Sequence, residues 1–106
     1  MTTTDPLRIR ILLHAPTAGS LQRARKNAAN ILRDEPRAEV RIVLNAEAVA
    51  AALDQPDVDI DKVTWVCPNT LRNLSREPSL EMNVLPQAAA LALGLLQTKG
   101  WAYVRA

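Results

Sequence analysis

Hydrophobic and polar positions fall into alternating short runs of two different periods. From Leu7 to Leu13, Ile9, Ile11 and Leu13 alternate with Arg8 and Arg10, the two-residue repeat of a strand. The stretch from His14 to Gly19 holds Pro16 and Gly19 and reads as a loop. Beyond it, Leu21, Ala24, Ala28, Ile31 and Leu32 recur at helical spacing, with Arg23, Lys26, Asn30 and Arg33 on the other side. Ser20 is a good cap for that helix, and Pro36 stops it. A second strand follows over Glu39 to Leu44, with Val40, Ile42 and Leu44 on one side. Asn45 can cap a short helix running to about Leu53.

The acidic stretch from Asp54 to Asp61 carries Pro56 and reads as a loop. Lys62 to Cys67 is a third strand, mostly apolar and therefore expected at the centre of the sheet. A short helical turn ends by Pro78. Met82 to Leu85 is a brief fourth strand. Pro86 suits a helix start, and that helix runs through Gln97. Gly100 ends it, and Trp101 to Arg105 is the fifth strand. Strands alternating with helices predict an α/β fold: a mainly parallel five-stranded sheet covered on both faces, three layers in all. In such doubly wound sheets the first and third strands are commonly neighbours, so they are expected side by side at the centre.

Composition narrows the functional classes. At 106 residues the chain is the size of one domain, with Met1 to Pro6 expected to be a flexible lead-in. Hydrophobic residues are 48% of the total, but there is no Phe, so Ala, Val, Ile and Leu must build the core. Thirteen basic and 11 acidic residues leave a net charge of +2, too even a balance to imply a nucleic-acid partner. The polar N-terminus lacks the apolar run of a signal peptide, and the apolar stretch from Ala88 to Leu96 is too short to cross a bilayer. A cytoplasmic protein without a membrane partner is the expectation. One cysteine and one histidine give neither a disulfide nor a metal-ligand cluster of the usual kind.

Chemistry therefore narrows to a few residues at strand ends. Cys67 ends the third strand where a helix begins, and a helix N-terminus favours a thiolate through its unpaired N–H groups and its dipole. It also continues the Val63, Trp65, Cys67 side of the strand, where a free cysteine serves equally well as a small buried hydrophobe. His14 ends the first strand. If the first and third strands are adjacent, it lies in the same crevice and can stabilise a thiolate or donate a proton; otherwise it is a loop histidine bonded to nearby backbone. Asn45, Asn69 and Thr70 rim the same edge, as binding groups or as helix caps. Ala18-Gly19-Ser20 is a weak anion loop with neither a dinucleotide fingerprint nor a phosphate-loop lysine.

Four segments taken in order carry a family resemblance: Ala24 to Leu32 (ARKNAANIL), Val40 to Val49 (VRIVLNAEAV), Val66 to Leu71 (VCPNTL) and Leu96 to Val104 (LQTKGWAYV). With them the chain resembles the DsrE-like superfamily, also called the YchN-like fold, over nearly its whole length. The resemblance implies a three-layer α/β/α domain and frequent homo-oligomers. It also implies that some relatives carry sulfane sulfur on a cysteine and pass it between proteins. Cys67 matches the family's cysteine position after the third strand, although Pro68 stands where many relatives have Gly or another small residue. The functional expectation is a sulfur carrier or transferase using Cys67 as a persulfide, with a donor or acceptor protein as partner and no cofactor. The alternative is a non-catalytic small-molecule-binding or assembly protein of the same fold, in which Cys67 is structural.

The helix from Pro86 to Gln97 adds a further expectation. Its apolar residues do not form one stripe, and the surplus calls for burial against a second copy, as a dimer or trimer.

Overall fold

A computed structural model describes residues 8–106. The expectations for Met1 to Pro6 and for the first strand's start at Leu7 fall outside that range. The elements are β1 (Arg10–Ala15), α1 (Ala18–Asp34), β2 (Glu39–Leu44), α2 (Glu47–Asp54), α3 (Val58–Asp61), β3 (Thr64–Val66), α4 (Pro68–Leu74), β4 (Asn83–Val84), α5 (Ala89–Thr98) and β5 (Ala102–Arg105). All five strands join one sheet in the order β4-β3-β2-β1-β5, and every pairing is parallel.

That order explains the layering. From β1 the chain steps to β2, β3 and β4 in one direction across the sheet. Parallel crossovers are right-handed, so each of these steps puts its helix on the same face. Leu21 and Ala24 of α1, Val49 and Ala52 of α2 and Leu71 of α4 accordingly share one core with Leu13, Ile42 and Val66. The step from β4 to β5 returns across the whole sheet, and the same handedness sends α5 to the opposite face. There Ala89, Ala92 and Leu93 pack on Leu12, Val43 and Cys67. The result is a three-layer α/β/α domain with a crowded face and a face covered by one helix of about 15 Å.

The expected adjacency of the first and third strands does not hold, because β2 lies between them. Winding that starts in the middle of a sheet reverses early; this chain reverses once, after β4. The central strand is β2, whose Ile42, Val43 and Leu44 are completely buried, whereas Trp65 of β3 is only half-buried. At about 1.5–3 kcal/mol per fully buried large aliphatic side chain, that run is among the stronger local contributions to the core.

Local signals shift several boundaries. Thr17, not Ser20, caps α1: the Thr17 hydroxyl accepts from the Ser20 amide at 3.0 Å, and the Thr17 amide donates to Ser20 Oγ at 2.9 Å. This reciprocal box puts Ala18, Gly19 and Ser20 inside the first helical turn rather than in a loop. Asn45 does not cap α2; that position falls to Ala46, at φ 49° and ψ −136°. The acidic segment read as a loop contains the single turn α3, capped by Asp57, whose carboxylate accepts from the Ile60 amide. α5 starts at Ala89, three residues after Pro86, and ends with Trp101 N–H donating to Leu96 C=O and Gly100 N–H donating to Gln97 C=O. This C-terminal motif requires the left-handed conformation that Gly100 adopts at φ +94°.

Candidate functional site

In open parallel sheets ligands bind beyond the carboxyl ends of the strands, where neighbouring strands send their connections to opposite faces. In this sheet that point lies between β3 and β4. The chain leaving β3 turns into α4 on the crowded face, and the chain leaving β4 turns into α5 on the other. Cys67 stands at the junction. It is the residue that caps α4, with Pro68 in the first helical position, and its own amide donates to Leu44 C=O at 3.0 Å.

The sulfur meets the starts of two helices. Ala89 N–H, the first amide of α5, donates to Cys67 Sγ across 3.4 Å. The Asn69 and Thr70 amides of the first turn of α4 also face the thiol, as does the Thr70 hydroxyl, without closing a conventional cap hydrogen bond. Burial opposes ionisation of this thiol, since the residue is only 6% exposed. The donors outweigh that penalty, and the thiol's pKa lies below its ordinary value. The side chain is thus both a buried member of the core and a polarised sulfur with donors from two directions.

His14 lies at the same sheet edge, on the same side as Cys67, but β2 separates them by two strand spacings, roughly 10 Å. Its ring is held by other groups. Tyr103 Oη is 2.6 Å from Nδ1, and Asn45 Oδ1 is 3.0 Å from Nε2. An amide oxygen only accepts, so Nε2 carries the proton and, in the neutral ring, the Tyr103 hydroxyl donates to Nδ1. Asn45 orients an imidazole instead of starting a helix. Asn69 is exposed and accepts from the Arg72 guanidinium.

The structure therefore brings Cys67 and Thr70 together, with Asn69 at the rim through its backbone. It gathers His14 and Asn45 into a separate cluster with Tyr103. The sequence reading missed Ala89 and Tyr103. An alanine amide carries no side-chain signal, and its approach to Cys67 depends on the crossover from β4; the Tyr103 contact depends on β5 pairing with β1. Among the described residues no three His, Cys, Asp or Glu side chains converge to hold a metal ion, and no helix is long and apolar enough to cross a membrane. No protein-family model matches the chain, and no curated protein matches it.

Proposed function

We propose that this protein carries or transfers sulfane sulfur on Cys67, the activity implied by its resemblance to the DsrE-like, YchN-like proteins. The observation that carries the reading is the convergence of two helix starts from opposite faces on one thiol at the switch point of the sheet. Chemically, the Cys67 thiolate attacks the outer sulfur of a donor persulfide. A new S–S bond forms at Cys67, the donor's S–S bond breaks, and the donor leaves as a thiolate. Attack by an acceptor thiolate on the outer sulfur reverses the sequence, so the electrons balance without an outside oxidant. The amides that favour the Cys67 thiolate also favour the anionic persulfide. Because the sulfur is buried, transfer needs the α5 start or the β3–α4 junction to open. The partner is a donor or acceptor protein, and the setting is the cytoplasm.

One observation favours a second reading, an assembly or small-molecule-binding protein with a structural cysteine: Cys67 packs in a closed cluster with Leu85 and Ala89. Incubation with a low-molecular-weight persulfide followed by intact-mass measurement separates the two. Sulfur transfer predicts a gain of one sulfur atom that dithiothreitol removes and that Cys67→Ser, still folded, does not acquire. A folded wild-type chain that gains no sulfur supports the structural reading.

A further inference from the structure

The open face of the sheet carries an alternation of cations and indoles. Arg10 lies over the Trp101 ring at 5.2 Å, and Arg41 lies over both Trp101 at 4.8 Å and Trp65 at 4.6 Å. α5 packs on this face and leaves beside it a cavity of about 260 Å³. Trp65 and Arg41 line it from the sheet, Leu85 from just past β4, Leu95 and Leu96 from α5, and Lys99 from just past the end of that helix.

The charges in this cavity are unbalanced. Among the described residues no carboxylate or carbonyl accepts from the Arg41 guanidinium, whose contacts are the two rings, and Lys99 Nζ has no ion pair. The one acid on the same strand, Glu39, does not line this cavity; it lines a neighbouring recess that shares Arg41 and Trp65, and it pairs with Arg8 at 3.1 Å. Stacking holds a guanidinium through its faces and leaves its in-plane N–H fork free, and that fork matches a carboxylate. Apolar walls with a few convergent polar groups are the ordinary make-up of a small-molecule site.

We infer that the cavity between α5 and Trp65 binds a small carboxylate with a flat apolar body, the body against Trp65 and Leu95 and the carboxylate between Arg41 and Lys99. A recess of about 260 Å³ has room for a compact ring acid. The site is separate from the thiol, since Cys67 does not line the cavity.

The test uses 2-naphthoate, with uncharged 2-naphthamide as its isostere. The chain has two tryptophans, so their indole N–H signals in a ¹⁵N-labelled sample report on the site directly. Saturable shifts of the Trp65 signal with 2-naphthoate are expected, with 2-naphthamide weaker by about tenfold, as befits a charge-assisted hydrogen bond. Arg41→Gln is expected to weaken 2-naphthoate by a similar factor. Lys99→Gln, an exposed change that leaves the stack intact, should weaken it by a smaller one. Equal affinity for acid and amide, no shift up to about 5 mM acid, or undiminished acid binding in a folded Lys99→Gln variant would overturn the assignment.

Discussion

The amide of Ala89 donates to the sulfur of Cys67, 22 residues away in sequence and across the point where the winding of the sheet reverses. That bond ties the start of α5 to the end of β3. It makes the state of the thiol and the seating of the helix a single problem.

The first prediction follows from the sign of the thiol's shift. Burial alone would raise its pKa, but the donors from Ala89, Thr70 and Asn69 bring it below the ordinary value. Alkylation of Cys67 should therefore show a pH midpoint below the roughly 8.5 of a free cysteine. Thr70→Val, which removes one donor and keeps the shape, should move the midpoint upward. Folding should follow the same linkage. Between the folded and unfolded values the native state binds fewer protons, so stability rises with pH across that window and is lost as pH falls through the folded value. Denaturant titrations of wild type and Cys67→Ala on either side of pH 8.5 check this, and an identical pH slope in both would refute it.

The alternation of periods was enough to read five strands, their order along the chain and a three-layer architecture. It was enough because each strand and each long helix must bury an apolar side. The spatial order of the strands was not legible. Both the expected winding and the observed one satisfy the right-handed crossover rule, and the choice depends on whether the chain reverses after two strands or four. This one ambiguity carried over to the site. Cys67 was found at a strand end from its neighbours in sequence, but grouping it with His14 assumed that β1 and β3 touch. Tyr103 and Asn45 hold His14 instead, through β5 and β2. Helix caps were misread where two candidates stood close together, as with Thr17 and Ser20.

Ala46 gives the second prediction. It turns the chain from β2 into α2 at φ 49° and ψ −136°, a conformation that an L side chain resists, and it is exposed. Ala46→Gly should raise stability by up to about 1 kcal/mol, the relief of strain exceeding the added entropy of the unfolded chain. Urea unfolding measures it, and destabilisation would show that the methyl group matters.

Asp61 gives the third. Its carboxylate is buried between α3 and α1, 3.6 Å from the Arg25 guanidinium, and one of its oxygens accepts from the Asp57 amide at 3.2 Å. Burial outweighs the help of the Asp57 amide and Arg25, while the Asp57 charge opposes ionisation, and the carboxyl's pKa is raised. Above the unfolded value of about 3.9 the native state holds the proton longer than the unfolded chain, so this group's contribution to stability falls as pH rises through the folded value. Asp61→Asn should remove that slope. Near neutral pH the variant, a neutral stand-in for the protonated acid, should be at least as stable as the native chain. Chemical denaturation from pH 4 upward reads both effects, and a slope that survives in the variant would sink the argument.

The last prediction separates the two sides of α5. The surplus apolar side of this helix does not include Leu93, which is buried within the chain at 7% exposure, packed with Leu12, Val43 and Trp101. The outward side instead presents Ala90, Leu91, Gly94 and Leu95, with Leu91 55% and Leu95 39% exposed. No charged residue occurs between Ala89 and Thr98. If copies of the chain associate through this helix, as a dimer or trimer, the contact is centred on Leu91, the most exposed leucine of α5. Leu93→Ala should then cost about 2–5 kcal/mol of folding stability, as a core truncation does. Leu91→Glu should leave folding within about 0.5 kcal/mol of wild type, as exposed substitutions usually do, and should dissociate the assembly. Sedimentation velocity at micromolar concentration, paired with urea unfolding, measures both. A wild-type chain that sediments as a monomer, or a Leu91→Glu chain that stays assembled, would remove α5 from the interface.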